Sequence, residues 1–314
     1  MKPLRVVFFG SPEFAVPVLE ALARQHHVVL VVTQPAKPAG RGMTLKQPAA
    51  AKLAESAGIA LAQPRRLRKN PEFIEELRSL APDLGVTAAY GKILPPELLE
   101  VPRYGVLNVH ASLLPRWRGA APIQRSLMAG DEVSGITIMQ TEEGLDTGPI
   151  RLQRRVAVRP QDDAVSLART LSDLGAEVLM EALTLLAADS LPLTPQDDSA
   201  ATLAPPLTPE DGHLRWQDSA EQVFNRHRGV AAWPGTSFEF SGQRVKVLEL
   251  APWPEPTPPE AVPAQVLGVA EESLLVATGG GALELAILKP AGKGAMSARA
   301  WANGRGVKAG VLLV

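Results

Sequence analysis

Two polar side chains lie two residues apart near the end of a predicted buried strand. Asn108 and His110 belong to the run Gly105 to His110, and alternate residues of a strand point to the same face. The carboxyl ends of strands are where open α/β sheets place their ligands. Each residue brings polar groups that must be hydrogen-bonded when they are buried. The pair therefore indicates either a hydrogen-bonded core histidine or part of a functional site.

Asp146 supplies a third candidate group, in the loop that follows the next predicted strand. We expect that loop to return to the same edge of the sheet, beside Asn108 and His110. An amide donor, an imidazole and a carboxylate are the groups that acyl transfer to an amine requires. They donate to the developing oxyanion, carry the proton and orient the imidazole. Because Asp146 lies between Gly144 and Gly148, a turn aspartate is the alternative interpretation.

Composition excludes several classes of protein. The 314 residues predict about two domains, and a hydrophobic fraction of 46% with a charged fraction of 21% is typical of globular chains. The chain has no cysteine, which excludes disulfides, zinc-thiolate sites and thiol nucleophiles. The other histidines lack the spacing of metal ligands, so no metal is predicted. No apolar run is long enough to span a membrane, and we expect a cytoplasmic protein.

The first part of the chain alternates buried strands with helical segments. This alternation is typical of an α/β, Rossmann-like domain with a mostly parallel sheet. Asn70 followed by Pro71 predicts the start of one of the helices. The turn after the first strand has only one glycine, Gly10, of the three in a dinucleotide fingerprint. No NAD is therefore expected.

Prolines and short strands dominate the rest of the chain. A Pro-rich stretch predicts a linker over 190–209. Closely spaced strands follow, including a hairpin across Ser241 and Gly242, and they predict a small, OB-like β-barrel. The predicted domains are therefore 1–189 and 210–314.

Several motifs share their residues and spacing with one enzyme family. Around the candidate site they are Asn108-x-His110, Ser112-Leu113-Leu114-Pro115-x-x-Arg118-Gly119 and Leu145-Asp146-Thr147-Gly148. Supporting stretches lie at 33–35, 38–42, 89–95, 116–124 and 290–293. In this order along the whole chain, the motifs resemble the 10-formyltetrahydrofolate-dependent formyltransferases. The supporting stretches resemble the members that act on an aminoacyl-tRNA.

The resemblance implies a reaction, a co-substrate and the residues that serve them. The formyl group of 10-formyltetrahydrofolate would pass to the α-amino group of initiator methionyl-tRNA, in preparation for translation initiation. Asn108 would bond the formyl oxygen, while His110 with Asp146 would handle the proton of the attacking amine. The folate would lie against Ser112, Leu113, Leu114 and Pro115.

Two alternatives to this reaction stay open at the level of the sequence. An enzyme with the same first domain could formylate a small amine, such as a ribonucleotide or an amino sugar. A protein that only binds tRNA or folate is the other alternative, although it would have no need of Asn108, His110 and Asp146 together. For the leading interpretation we expect a monomer.

Basic residues cluster in two segments although the net charge is −1. From Gln34 to Asn70 there are eight basic residues and one acid, and from Lys289 onward there are five basic residues and no acid. Such clusters fit a surface that follows RNA phosphates, and a solvated surface with chance clustering is the alternative. By resemblance, Arg41 would be the central contact with the acceptor end of the tRNA. The residues predicted to contact tRNA are Arg41, Lys37, Lys46, Lys289, Lys293 and Arg299.

Overall fold

The computed structural model describes residues 2–39 and 44–313. They belong to two units. One unit holds the chain up to residue 122 with 133–158 and 166–205, and the other holds 123–132, 159–165 and the chain from 206 onward. Within the described ranges, no helix combines the length and the hydrophobicity that a membrane span requires.

Strands and helices alternate through the first half of the chain, and strands predominate in the second half. The strands are β1 (Arg5–Gly10), β2 (His27–Val32), β3 (Lys37–Ala39), β4 (Thr44–Lys46), β5 (Leu61–Ala62), β6 (Leu84–Ala88), β7 (Val106–His110), β8 (Arg118–Gly119), β9 (Val133–Gln140), β10 (Ile150–Ala157), β11 (Leu203–Ala204), β12 (Thr236–Phe240), β13 (Gln243–Trp253), β14 (Val266–Val269), β15 (Leu274–Ala277), β16 (Ala282–Pro290) and β17 (Met296–Ser297). The helices are α1 (Val16–Gln25), α2 (Ala49–Ser56), α3 (Pro71–Ser79), α4 (Pro96–Leu99), α5 (Pro122–Met128), α6 (Ala164–Ala187), α7 (Ala220–Val230) and α8 (Ala298–Arg305).

A seven-stranded sheet forms the centre of the first unit, in the order β10-β9-β7-β6-β1-β2-β5. Strands β5, β2, β1, β6 and β7 run parallel to one another. In contrast, β9 runs antiparallel to β7, and β10 antiparallel to β9. Val6, Val7, Phe8 and Phe9 of β1 are all buried, as expected for a parallel strand that is covered on both faces. The predicted mostly parallel α/β sheet is confirmed.

Local signals explain where helices begin and how closely they pack. Asn70 accepts a hydrogen bond from the backbone N–H of Phe73 at 3.3 Å, and Pro71 is the first residue of α3. The predicted helix start is confirmed.

Helix α6 packs against β7 at Gly175, where a Cβ would lie 2.9 Å from Cγ1 of Val109. A larger residue at this position would push the helix away from the strand that carries the candidate site.

Part of the predicted linker pairs with the first unit. Thr194 and Ile150 exchange backbone hydrogen bonds of 2.9 and 2.8 Å, and β11 pairs in parallel with β8. These pairings give hydrogen-bond partners to the backbone of a segment that has little periodicity of its own. The domain bounds of 1–189 and 210–314 stay a prediction, and the segment between them belongs to the first unit up to Pro205.

The second unit is built on antiparallel strands in the order β12-β13-β16-β15-β14, with β17 beside β16. Bulges interrupt β13, and bulges bend a strand as small barrels require. The predicted hairpin is confirmed, since Ser241 and Gly242 have the positive φ angles, 52° and 71°, of a two-residue turn. The core contains Trp216, Phe238 and Trp301, whose rings meet edge-on at 5.7 Å between centroids. The fold class, an α/β unit with a second unit of antiparallel strands, is confirmed.

Most of helix α5 belongs to the second unit, although the chain up to residue 122 and again from 133 to 158 belongs to the first. It packs on α7 at Gly229, where a Cβ would lie 2.5 Å from Cγ of Met128. Arg125 of α5 also forms a two-pronged ion pair with Asp211, at 2.9 and 3.0 Å. Close backbone approach and a bidentate ion pair together hold this helix in the second unit.

Candidate active site

The three groups predicted from the sequence lie together in the first unit. Oδ1 of Asp146 accepts a hydrogen bond from Nδ2 of Asn108 at 3.3 Å, and Oδ2 lies 3.6 Å from Nδ1 of His110. His110 is 5% exposed, whereas Asn108 and Asp146 are half-buried. The cluster thus combines a shielded imidazole with two groups that a substrate can reach.

Asp146 reaches this cluster by a different route from the one expected. Because β9 runs antiparallel to β7, Gln140 at the end of β9 pairs with Leu107 and not with the carboxyl end of β7. Strand β9 therefore ends at the opposite edge of the sheet from the carboxyl end of β7, although Asp146 lies beside Asn108 and His110 as expected. Residues 141–149 instead fold back along β7, and Gly148 permits this, since a Cβ there would lie 1.9 Å from the carbonyl oxygen of Gln140.

Hydrogen-bond donors hold Asp146 at its side chain and at its backbone. The backbone N–H of Gly119 donates to Oδ2 at 2.9 Å, so the motif loop orients the carboxylate. The backbone of Asp146 has a φ of 52°, in the left-handed region, which aspartate tolerates better than most residues. Its carbonyl oxygen accepts a hydrogen bond from Nε2 of Gln196 at 2.8 Å.

The partners of His110 define which nitrogen carries the proton. Nε2 lies 3.0 Å from the carbonyl oxygen of Trp117, and a carbonyl can only accept, so Nε2 is the donor. In the neutral imidazole, Nδ1 then carries the lone pair, on the side of Asp146. Nδ1 can accept a proton, and the imidazolium that forms would face a carboxylate. This geometry suits a group that removes a proton during a reaction.

Residues 112–115 form a loop that the neighbouring strand fixes. Oγ1 of Thr137 donates to the carbonyl oxygen of Ser112 at 2.6 Å and accepts from the backbone N–H of Leu114 at 3.1 Å. Ser112 and Leu114 are 2% and 3% exposed, whereas Leu113 and Pro115 are half-buried. Of these four residues, Leu113 and Pro115 therefore have the side chains that a ligand can contact. The assignment of all four residues to folate stays a prediction.

Gly10, the glycine of the first turn, has a packing role. A Cβ there would lie 2.6 Å from the ring of Phe8 and 2.8 Å from Cβ of Ala15. The turn needs glycine for close approach of its own neighbours. Among the described residues, no three acidic, histidine or cysteine side chains lie close enough to hold a metal ion. The expectations of no NAD and no metal stay predictions.

Three lysines of the first unit lie near one another. Lys37 and Lys46 are paired across the β3–β4 ladder, and both are exposed. Burial and the nearby charge of Lys37 lower the pKa of Lys92. Like charges opposite one another on a ladder are unfavourable, and an anion would relieve this repulsion. Arg41, the central residue of the predicted tRNA contact, lies outside the described residues.

A second pair of lysines lies on the sheet of the second unit. Lys289 is paired with Lys246 across β16 and β13, and both are exposed. Lys293 is exposed as well, whereas Arg299 donates from Nη1 to the carbonyl oxygen of Glu271 at 2.7 Å. The sequence gives no sign of Lys246, because Lys246 and Lys289 become neighbours only when β13 pairs with β16.

Family models match both parts of the chain. The model described as "Formyl transferase" matches residues 4–183, and the one described as "Formyl transferase, C-terminal domain" matches 206–306. Methionyl-tRNA formyltransferase of Deinococcus radiodurans is 48% identical, over 98% of this chain and 94% of its own length. The protein of the same name from Thermus thermophilus is 47% identical over 99% of both chains. The chain belongs to the methionyl-tRNA formyltransferase family. The resemblance drawn from the motifs is confirmed.

Two solved structures of low sequence identity share the fold. WlaRD, a sugar 3N-formyl transferase, has 14% sequence identity and a TM-score of 0.66, over 93% of this chain and 100% of its own. HypX from Aquifex aeolicus, in complex with tetrahydrofolic acid, has 18% identity and a TM-score of 0.63, over 96% of this chain. This chain spans about half the length of HypX, 47%. At these identities the likeness concerns the fold alone.

Proposed function

We propose that this protein transfers the formyl group of 10-formyltetrahydrofolate to the α-amino group of initiator methionyl-tRNA. The observation that carries the proposal is the contact of Asp146 with both Asn108 and His110, inside a chain nearly half identical to methionyl-tRNA formyltransferases along its whole length. Residues 1–189 would form the catalytic domain and 210–314 the tRNA-binding domain. The protein would work as a monomer in the cytoplasm.

The α-amino group of methionyl-tRNA is itself the nucleophile, so the protein need not supply one. A free α-amino group has a pKa of about 7.7–8.0, and an ester lowers it, so much of it is unprotonated near neutral pH. Its nitrogen forms a bond to the formyl carbon, and negative charge develops on the formyl oxygen. The bond from that carbon to the folate nitrogen then breaks. The proton that the amine loses ends on the folate nitrogen, which leaves as tetrahydrofolate.

Asn108, His110 and Asp146 can each serve one part of this sequence. An amide nitrogen has two hydrogens. Nδ2 of Asn108 donates one to Asp146, and the second would donate to the formyl oxygen as its charge develops. His110 would accept the proton of the amine at Nδ1, and the Asp146 carboxylate would stabilise the imidazolium.

The two substrates would use different parts of the protein. The folate would lie along the loop of Ser112, Leu113, Leu114 and Pro115. Support for a folate co-substrate comes from HypX, a fold relative whose structure contains tetrahydrofolic acid. The tRNA phosphates would be held by Lys37, Arg41 and Lys46 on the first unit, and by Lys289, Lys293 and Arg299 on the second.

An acceptor comparison tests the proposed function. Purified protein is incubated with 10-formyltetrahydrofolate and one of three acceptors in separate reactions. The acceptors are initiator tRNA charged with radioactive methionine, glycinamide ribonucleotide, and a nucleotide-linked amino sugar. We expect formylmethionyl-tRNA and no formylated small amine. Formylation of a small amine but not of methionyl-tRNA would contradict the proposal. Binding of tRNA and folate without turnover would indicate a binding protein.

Salt dependence tests the phosphate-binding role of the second unit. Each phosphate contact contributes about one unit to the slope of log affinity against log salt. We expect the variant with Lys289→Ala and Lys293→Ala to show a flatter slope and weaker binding of charged and uncharged tRNA alike. Arg299 is kept, because it holds a backbone carbonyl. The measurement is tRNA affinity between about 50 and 200 mM salt.

Matched controls separate this effect from a general loss of positive charge. The variant with Arg24→Ala and Arg78→Ala also loses two exposed basic side chains, each of which pairs with a glutamate on its own helix. It should keep the slope of the parent protein. Folate affinity should be the same in all three proteins. Superimposable salt curves for parent and lysine variant would show that these lysines are only a solvated surface.

A further inference from the structure

The side chain of Gln196 uses all of its hydrogen-bonding groups within the first unit. Nε2 donates to the carbonyl oxygens of Asp146 and Gly148, at 2.8 and 2.7 Å. Oε1 accepts from Nε and Nη2 of Arg118, at 3.0 and 2.9 Å. Only the amide nitrogen can face two carbonyls and only the amide oxygen can face a guanidinium, so the orientation of the carboxamide is determined by its partners.

Arg118 is a fixed support for Gln196. It is 7% exposed, and Nη2 also donates to Oδ1 of Asp198 at 2.7 Å. Its backbone lies in β8, which pairs with β11. The next residue, Gly119, provides the N–H that binds the carboxylate of Asp146. The same two residues of β8 thus act on Asp146 twice, once directly and once through Gln196.

Hydrogen bonds, more than burial, hold the loop that carries Asp146. Residues 142–145 and Thr147 are exposed, and the side chain of Leu145 is 57% exposed, so burial contributes little to the position of this loop. Asp146 itself has a φ of 52°, a conformation that needs support from its surroundings. The two bonds from Gln196 fall on Asp146 and on Gly148, two residues further on.

We propose that Gln196 is a positioning residue for formyl transfer: by holding two carbonyls of the 141–149 loop, it sets the Asp146 carboxylate against His110. This inference rests on the proposed function. Gln196 itself need not touch either substrate. A displacement of a catalytic group by about 1 Å can lower a rate by on the order of 10²-fold, so the loss of this support should appear in kcat.

Gln196→Glu separates two roles of the side chain. Glutamate has nearly the same shape and would bind Arg118 at least as strongly, because the pair would be charged. It cannot donate to the carbonyls of Asp146 and Gly148. We expect kcat for formylation to fall by about 10–100-fold, with KM for folate and for tRNA changed by less than about twofold. If the side chain served only to pair Arg118, this variant would keep the parent kcat, and the proposal would be overturned.

Gln196→Met tests whether the effect of Gln196→Glu comes from the negative charge that glutamate introduces. Methionine also fills the space and also lacks the two donors, but it adds no carboxylate near the carbonyls. We expect a fall in kcat of about the same size, 10–100-fold. Ser199→Ala is the matched control in the same segment, since the Ser199 hydroxyl bonds only to Asp197 among the described contacts. It should keep the parent kcat. Thermal unfolding of each variant shows that the first unit is folded.

A double-mutant cycle with Asp146 gives the decisive readout. If Gln196 acts through Asp146, Gln196→Met should lower kcat by less than about twofold in an Asp146→Ala protein. Losses that multiply in the double variant would overturn the proposal, because they would place the effect elsewhere in the unit. The parent protein is assayed first with charged initiator tRNA. Failure of the parent to formylate it rejects the proposed function, whereas an active parent with active Gln196 variants rejects this inference alone.

Discussion

His110→Ala is expected to lower the single-turnover rate of formyl transfer by about 10²–10⁴-fold. The reason is that Nδ1 of His110 would take the proton of the amine while Nε2 stays bonded to the carbonyl of Trp117. Asp146→Ala should act in the same direction, since it removes the carboxylate 3.6 Å from Nδ1. Both measurements use enzyme in excess over formyl donor and charged tRNA, so that product release does not limit the rate.

A second variant at residue 110 separates the loss of proton transfer from the loss of packing. His110 is buried, and alanine would leave a cavity and an unpaired carbonyl of Trp117. His110→Gln keeps an N–H donor for that carbonyl but cannot carry a proton, and it should lose as much rate as His110→Ala. His26→Gln is the matched control, because His26 is a buried histidine of the same unit that bonds the backbone N–H of Leu4. Parent-like formylation by His110→Gln would refute the proton-transfer role.

The sequence predicted which groups come together but not the route that brings Asp146 to them. Strand β7 and the alternation of Asn108 and His110 follow from a local apolar run with two polar interruptions. The direction of β9 does not, because a strand direction depends on the connection before it. Helix α5 lies in that connection, and most of it belongs to the second unit. The antiparallel pairing of β7 with β9 means that the two strands are not joined by the right-handed βαβ crossover that the alternation suggested.

Gln196 shows a second limit of sequence reasoning. Its contact with Asp146 spans 50 residues, and it lies in a Pro-rich segment without periodicity that predicts only a linker. A side-chain amide that binds backbone carbonyls leaves no spacing signal at either end. The pairing of Lys246 with Lys289 is similar, since neither residue is unusual in its own strand. Local patterns thus predict elements and candidate groups, whereas contacts between distant segments require the fold.

Asn108→Ala is expected to lower kcat by on the order of 10²–10³-fold, as the loss of one oxyanion donor does. Asn108 is half-buried on β7 and bonds Asp146 through one hydrogen of Nδ2. Its loss should leave Asp146 in place, because Gly119 and Gln196 still bind that residue.

Two further variants show whether the loss of rate at Asn108 is chemical. Asn108→Asp has the same shape without a donor and brings a negative charge toward the oxyanion, so its rate should fall at least as far as that of Asn108→Ala. Asn70→Ala removes a helix cap at a cost of about 1 kcal/mol in stability, and it should keep the parent kcat. A drop in kcat with unchanged KM for tRNA, in Asn108 variants only, would mark an interaction made in the transition state. If Asn108→Ala instead raised KM at parent kcat, Asn108 would bind the ground state and the oxyanion would need another donor.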